Sequence, residues 1–461
     1  LDLLKPCISS IFAETAYTNY EIIIVDNQSE LPATKQYFQE LEQSHGHQVT
    51  IINYPHEFNY SAINNLAAEQ ATGDYLVLLN NDTGVLQAEW LSTLLNYAQR
   101  EEIGIVGVRL VTPQNTMQHG GIFLGINGGA DFAHMGLTLS EMGYAYRARV
   151  AQNLSAVSAS CMMISKDLYR QVGGLNQEYL KLLFSDVDLS LKVKDQGYKV
   201  LWTPYVTLLH RSGSTLDKIG KQEKTITQIS KENKYIHQKW LTKLANDAAY
   251  NSNLSLKSAN FEQNTDMQVS WDVCIDKQKP RIYAFPSNSS GVGEYRVRAP
   301  LRALSESGKV LYSLSKNMGE LVFPNIVDVK RIQPDVILLQ NGFLTALQRS
   351  WGKYKKVNSF RVAGIDDVVH ILPHTHSKHG LWANARKQVK EHLAITDRLI
   401  VANSVLAEEY SKFIDDIIIV PNYLEYARWG KIILPEKNQT KRLRVGWAGG
   451  SEHNGDLAFI E

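Results

Sequence analysis

The sequence is poor in the features that would mark a stapled, secreted or membrane-embedded chain. Only three cysteines, Cys7, Cys161 and Cys274, occur in 461 residues, and no two share a C-x-x-C spacing. That odd, scattered set argues against a disulfide framework and a structural zinc site, and makes a reducing cytosol the simplest location. No apolar run approaches the roughly 18 residues that a membrane span needs, and the opening LDLLKPCISS lacks a basic stretch followed by an apolar one. Neither sign of charge is in excess. The 48 Lys plus Arg against 47 Asp plus Glu leave +1, which provides no global attraction for nucleic acid or an anionic membrane. With 44% apolar and 21% charged residues the composition is that of a folded globular chain. At roughly 150 residues per domain, its length calls for about three domain-sized units.

What is present is α/β grammar. Up to about Ser214 the β-rich runs EIIIVD, QVTIINY, DYLVLLN and IGIVGVRLV alternate with SAINNLAAEQA and AEWLSTLLNYAQR, whose apolar residues recur at helical spacing. From about Gly220 to Gln278 the chain turns polar, with one helical stretch around YIHQKWLTKLAND. A second α/β block opens at RIYAFPSNSSGVGEYRVRAPLRALSESG, where a strand leads through a Gly/Ser loop into an amphipathic helix. Strand candidates VILLQ, RLIVA and DIIIVP follow. After the basic hinge KNQTKR, LRVGWAGGSEHNGDLAFIE reads as a strand, a Gly-rich loop and the first turn of a helix. The expected division is 1–219, a helical tail and linker at 220–278, a second domain at 279–440, and the start of a further one at 441–461.

In open α/β sheets ligands bind outside the carboxyl ends of the strands, which here carry Asp26 and the cluster Asn80, Asn81, Asp82. Asp82 has the hard oxygens that Mg²⁺ or Mn²⁺ prefers. The same residues also suit an Asx turn that opens a helix at GVLQAEW. Asp26 in IIIVDNQSE stands between a turn and a contact to a nucleobase or ribose. In LFSDVDLSLKVKDQG, Asp186 and Asp188 flank Val187 at the start of an amphipathic helix. The helix N-terminus stabilises a carboxylate as its anion, which suits both a cap and a base that stays ionised. Upstream, Gly173 and Gly174 supply a backbone that permits close approach of a sugar. His210 closes YVTLLH, where an imidazole suits a metal or phosphate contact as well as a structural role. Asp366 and Asp367 are open in the same way between a turn and an acceptor contact.

The segments EIIIVDNQSE, HEFNYSAINNLAAEQATGDYLVLLNND, QHGGIFLGINGG, SASCMMISKDLYRQVGG, FSDVDLSLKV and LH, in this order, resemble a family 2 glycosyltransferase. The resemblance is to the GT-A fold of the bacterial O-antigen and cell-surface polysaccharide type, over about residues 1–215. It implies inverting transfer of a sugar from a nucleoside-diphosphate sugar, UDP- or dTDP-linked, to a glycan or lipid-linked acceptor. The implied setting is the cytoplasm, at the cytoplasmic face of the inner membrane, with no nucleic-acid partner. It also implies donor contacts from Asp26, Asn27, Ser29, Asn80, Asn81 and Asp82. Mg²⁺ or Mn²⁺ would be held by Asp82 and His210, the base would be Asp186, and Asp188, Gly173 and Gly174 would lie on the acceptor side. Four departures stand out. Asn80 occupies the place of the first Asp of the metal-binding element, Ser185 replaces a Glu or Asn, no acidic residue follows the His of LHRSGS, and no opening strand precedes LLKPCISSIF.

The segments PSNSSGVGEYRVRAPLRAL, PDVILLQN, RVAGIDDVVHILP, RLIVANSVLAEEY, IIIVPNYLE and RVGWAGGSEHNGDL resemble the first, Rossmann-like lobe and the beginning of the second lobe of a family 4, GT-B transferase, over about residues 279–461. GGSEHNGDL is read either as a diphosphate cradle or as a tight turn. Because a two-lobed enzyme closes its donor site between lobes, this module is expected to be inert by itself. Two other classes compete for the whole chain. A sugar nucleotidyltransferase would need a Gly-rich, basic phosphate loop at the first strand-helix turn, where DNQSE has none. A non-catalytic glycan-binding or scaffold module fits the degenerate positions Asn80 and Ser185.

Overall fold

The apolar runs become strands and the helical periodicities become helices, and long-range pairing decides how they are arranged. The computed structural model describes residues 1–211, 223–265, 269–273, 276–288, 291–315, 323–342, 345–371 and 385–432. The chain divides into two compact units, Leu1–Thr265 and Asp266–Glu461.

In the first unit α1 (Leu4–Glu14) leads to β1 (Ile22–Asp26), α2 (Pro32–His45), β2 (Val49–Asn53), α3 (Tyr60–Gln70), β3 (Tyr75–Leu79), β4 (Thr83–Val85), α4 (Trp90–Ala98) and β5 (Ile103–Val111). Then come β6 (Met117–His119), β7 (Ile122–Leu124), β8 (Ala130–Phe132), β9 (Gln152–Leu154), β10 (Cys161–Ser165), α5 (Lys166–Gln171), α6 (Ser185–Asp195), β11 (Lys199–His210) and α7 (Glu223–Ala245). A mixed seven-stranded sheet runs β3-β10-β5-β11-β4, with β6 beside β5 and β9 beside β11. β5 is antiparallel to β10 and parallel to β11, and this central place explains why IGIVGVRLV is apolar at every position but Arg109 instead of alternating. Along β11 the register shifts between Thr203 and Thr207, around Pro204, which has no N–H to give to a ladder. β1 and β2 form a separate parallel pair. The core under the sheet gathers Cys7, Ile8 and Ile11 of α1, Trp90, Leu91 and Leu94 of α4, and Val106, Val108 and Leu208 of the central strands. Cys7 and Cys161 are buried and free, while Cys274 lies outside the described residues.

Two local expectations give way to tertiary pairing. GVLQAEW does not open a helix: Thr83–Val85 is held as β4 against β11, and α4 begins only at Trp90. The β-branched Thr83 and Val85 suit that pleated, buried position. The stretch expected as tail and linker, 220–278, is also divided. Within it α7 and residues 246–265 belong to the first unit, burying Trp240, Leu241, Leu244, Tyr250, Leu254 and Phe261. Farther on, Trp271 is buried in the second unit, where its indole N–H donates to the Ile332 carbonyl at 2.8 Å.

The second unit contains β12 (Arg281–Phe285), α8 (Ala299–Glu306), β13 (Leu311–Leu314), α9 (Ile326–Ile332), β14 (Val336–Gln340), α10 (Thr345–Tyr354), β15 (Phe360–Ile365), α11 (Ala385–Leu393), β16 (Arg398–Val401), α12 (Ser404–Tyr410) and β17 (Ile417–Ile419). Its six strands are all parallel in the order β13-β12-β14-β15-β16-β17. Bidentate pairs clamp neighbouring strands at their N-terminal ends: Arg281 to Asp335, Arg361 to Asp397 and Arg398 to Asp416. Asp366 accepts from Asn341, just after β14, and the Asp367 carbonyl accepts from the Tyr410 hydroxyl of α12, so both are engaged across the unit. KNQTKR and residues 441–461 lie outside the described residues. Among the described residues no helix is long and apolar enough to cross a membrane.

Asp247 ties the segment after α7 to the first unit. Its carboxylate accepts from Leu124 N at 2.7 Å, Ser155 Oγ at 2.5 Å and Ala249 N at 2.7 Å. Asp247→Ala leaves these donors unsatisfied, a cost of about 1–3 kcal/mol per buried group. The expected result is a lower Tm together with new protease cleavage confined to residues 246–265, read by calorimetry and limited proteolysis.

Candidate active site

A cleft of about 1320 Å³ in the first unit brings together most of the residues singled out from sequence: Asp26, Asn27, Ser29, Asn80, Asn81, Asp82, Asp186 and His210 all line it. At the end of β1, Asp26 Oδ1 accepts from Ser29 N at 3.0 Å, which makes DNQS an Asx turn. Asn27 Nδ2 donates to the carbonyls of Tyr54 and His56 at 3.1 and 2.7 Å, fastening that turn to the chain after β2. Beyond β3, Asn80 is fixed by its N–H to the Ser160 carbonyl at 3.0 Å and by Nδ2 to Ser160 Oγ at 3.1 Å. Asn81 is exposed and Asp82 is buried.

The β4–β11 ladder sets His210 opposite Thr83 and therefore beside Asp82. His210 Nε2 lies 3.1 Å from Asp82 Oδ1, yet both are buried atoms without a hydrogen-bond partner. The other ring nitrogen, Nδ1, is 2.8 Å from Gln118 Oε1, which can only accept, so Nδ1 carries a proton; in the tautomer protonated there alone, the Nε2 lone pair faces the carboxylate. Two facing lone pairs fit a shared cation. Neighbouring ligands of an octahedral ion with bonds of about 2.1 Å are about 3.0 Å apart. No cluster of three or more metal-ligating His, Cys, Asp or Glu side chains occurs among the described residues.

Asp186 sits in the first turn of α6, half-buried at the cleft wall. Its Oδ1 accepts from Val187 N at 2.8 Å and its Oδ2 from Ala159 N at 3.4 Å. Burial pushes its carboxyl above the usual carboxylate range, against the pull of those N–H groups. The loop bearing Ala159 crosses the sheet at Gly107, where a Cβ would come within 2.4 Å of Val157. It is also pinned by His119, whose Nδ1 donates to the Val108 carbonyl and whose Nε2 accepts from Ser158 N, each at 3.1 Å. With both nitrogens so used, burial lowers the His119 pKa to about 4 and keeps the ring neutral. Tyr60 completes the support by donating its hydroxyl to the Ala159 carbonyl at 3.0 Å.

Asp188, Gly173 and Gly174 do not line the cleft. Asp188 is fully buried and accepts from Lys239 Nζ at 2.8 Å and Trp240 Nε1 at 2.7 Å, tying α6 to α7. Gly173 and Gly174 take positive φ in the turn after α5, and a Cβ at Gly174 would meet Asn65 Oδ1 at 2.6 Å. Sequence reasoning missed Gln118, His119 and the Ser158–Ser160 loop. The first two were visible within QHGG, but only their distant partners reveal what they do.

The raised pKa of Asp186 carries a stability consequence. A carboxyl whose pKa is higher folded than unfolded makes ionisation cost stability at neutral pH, and that cost vanishes once both states are protonated. Asp186→Asn is therefore expected to raise Tm at about pH 7–8, with the gain closing as pH falls toward about 4. A gain that instead grows in acid, in a series of thermal melts, would contradict this assignment.

Residues 1–173 match the family described as Glycosyl transferase family 2. The chain is 37% identical over 261 residues, 57% of its own length, to the uncharacterized protein y4gI of Sinorhizobium fredii (strain NBRC 101917 / NGR234). It is 34% identical over 215 residues, 46% of its length, to the O-antigen biosynthesis protein RfbC of Myxococcus xanthus. The chain spans 28% and 16% of the lengths of these two proteins. Among solved structures it is similar to GalNAc-T7 with UDP, GalNAc and Mn²⁺, at 15% identity and a TM-score of 0.38, covering 46% of this chain and 42% of that one. It is also similar to the mannosyltransferase PcManGT from Pyrobaculum calidifontis in complex with GDP-Man and Mn²⁺, at 14% identity and a TM-score of 0.35, covering 53% and 68%. Over residues 1–173, the mixed α/β N-terminal part of the chain is thus similar to the Glycosyl transferase family 2.

Proposed function

We propose that the first unit is an inverting, metal-dependent glycosyltransferase of O-antigen-type surface polysaccharide biosynthesis. It would move a sugar from a nucleoside-diphosphate donor to a glycan or lipid-linked hydroxyl at the cytoplasmic face of the membrane. The observation that carries the proposal is the cleft that joins Asp186, held by two backbone N–H groups, to the Asp82 and His210 pair.

In this reading Asp26, Asn27 and Ser29 receive the nucleoside, and Asn80 and Asn81 border the diphosphate. Asp82 and His210 would hold Mg²⁺ or Mn²⁺, which when bound would supply positive charge to a departing diphosphate. Gln118 keeps His210 in the tautomer that leaves Nε2 free to ligate. Asp186 accepts the proton of the acceptor hydroxyl as that oxygen bonds to the anomeric carbon and the bond to the phosphate oxygen breaks on the opposite face. One displacement inverts the centre and needs no covalent enzyme intermediate. Burial raises the basicity of Asp186 toward the operating pH, while the N–H groups of Val187 and Ala159 keep it oriented. The open parallel sheet of the second unit supports reading that unit as the first lobe of a two-lobed transferase.

Sugar release and transfer from a panel of UDP-, dTDP- and GDP-sugars with Mn²⁺ tests the proposal. Excess EDTA and Asp82→Ala are each expected to abolish turnover, with Asp82→Ala leaving the fold intact. Asp186→Asn is expected to keep donor affinity and lose turnover by at least about a hundredfold, the scale of a general base. Full activity in EDTA would remove the metal from the mechanism. Glycan binding without any turnover across the panel would favour a binding module instead.

A further inference from the structure

The segment that carries Asp186 is held from outside by α7, a helix beyond the residues that match the family. Glu232 of α7 is completely buried and gives its carboxylate to three successive backbone N–H groups. Lys181 N donates to Oε1 at 3.0 Å, Leu182 N to Oε1 at 3.1 Å, and Leu183 N to Oε2 at 2.6 Å. Gln228 Nε2 adds a fourth donor at 2.7 Å from its own helix. The next residue, Phe184, has φ +59°, a left-handed conformation that a residue with a Cβ keeps only when its surroundings hold it. Its ring lies over Gly129, where a Cβ would be 3.2 Å away, and the carbonyl of the adjacent Gly128 is bound by His237 of α7. Ser185 and Asp186 follow directly, and two residues later Asp188 returns to α7 through Lys239 and Trp240. The chain from Lys181 to Asp188 is thus clamped to one helix on both sides of Asp186.

We propose that Glu232 is a positioning residue for Asp186. By fixing the three amides that enter α6, it sets the point from which the Asp186 carboxylate meets the acceptor hydroxyl. The inference rests on the reading of Asp186 as the base. Its chemistry is specific to a carboxylate, because the three N–H groups need two oxygens with several lone pairs between them and no apolar side chain offers any. Since the contacts are to backbone, they fix the path of the loop whatever side chains it carries.

The effect expected of Glu232→Ala is a kcat about tenfold to a hundredfold lower, the scale of a misplaced catalytic group, with the donor KM within about twofold. Glu232→Gln keeps the oxygen used by Lys181 and Leu182 but cannot accept from Leu183, so it is expected to fall between Ala and wild type. Leu244→Ala, a buried apolar truncation on the same helix, serves as the control for stability alone and is expected to lower Tm without changing kcat below the transition. Hydrogen exchange of the amides of residues 181–183 provides a readout independent of turnover. Loss of protection confined to that loop in Glu232→Ala, with kcat reduced and KM kept, supports the proposal. Unchanged protection overturns it, as does a kcat that falls in Leu244→Ala as far as in Glu232→Ala. If the wild-type chain transfers no sugar from any donor, the glycosyltransferase reading fails, and the exchange data alone decide whether Glu232 holds the loop.

Discussion

The register of β11 against β4 and β5 is the constraint on which the cleft depends. Leu208 faces Val85, Leu209 faces Gly84 and His210 faces Thr83, while the other edge of β11 pairs Leu208 with Leu110 and Leu209 with Val111. Side chains alternate across a strand, so a slip of one residue would turn His210 to the other face and separate it from Asp82. The register is held by burial of one face, because Val206 and Leu208 belong to the core that also contains Val108 and Leu110. The irregularity at Pro204 lets one long strand satisfy two stretches of β5 without carrying an error to its end.

A second theme is the use of buried polar groups as struts. His119, Asp188 and Glu232 are buried and Asp247 is half-buried, and each is partnered to backbone N–H or C=O groups or to indole and ammonium donors. Such groups contribute little net stability, yet they are costly to leave half-satisfied, so they select one arrangement among several compact ones. Three of them lie on segments that meet near Asp186. His119 holds the loop that donates Ala159 N, while Glu232 and Asp188 hold the approach to α6 and its first turn.

How much of this was legible beforehand differs by type of contact. The strands and helices followed from apolar periodicity, and the position of Asp186 and Asp188 at a helix start followed from the pattern SDVDLSLK. Residues two apart on a helix point about 200° from each other, so sequence implies that only one of the two can face a given cleft. Which one does was settled by α7, whose Lys239 and Trp240 claim Asp188. GVLQAEW was misread because a short segment with a helical look was taken by a sheet edge. Residues 246–265 were misread because their polar composition hides the buried Tyr250, Leu254 and Phe261.

By itself the sequence determined the α/β class, two blocks of strand-helix alternation, the carboxyl-end placement of Asp26 and Asp82, and the candidate pair of aspartates. These depend on periodicity and turn chemistry, which act over a few residues. Only the tertiary structure decided that His210 stands beside Asp82, that Asp186 turns to the cleft while Asp188 turns away, and that Gln118, His119 and Glu232 support them. Those facts depend on strand register and on which buried donor finds which acceptor. Contacts between residues far apart in the chain leave no period in the sequence, and their energies are settled only when the whole core closes around them.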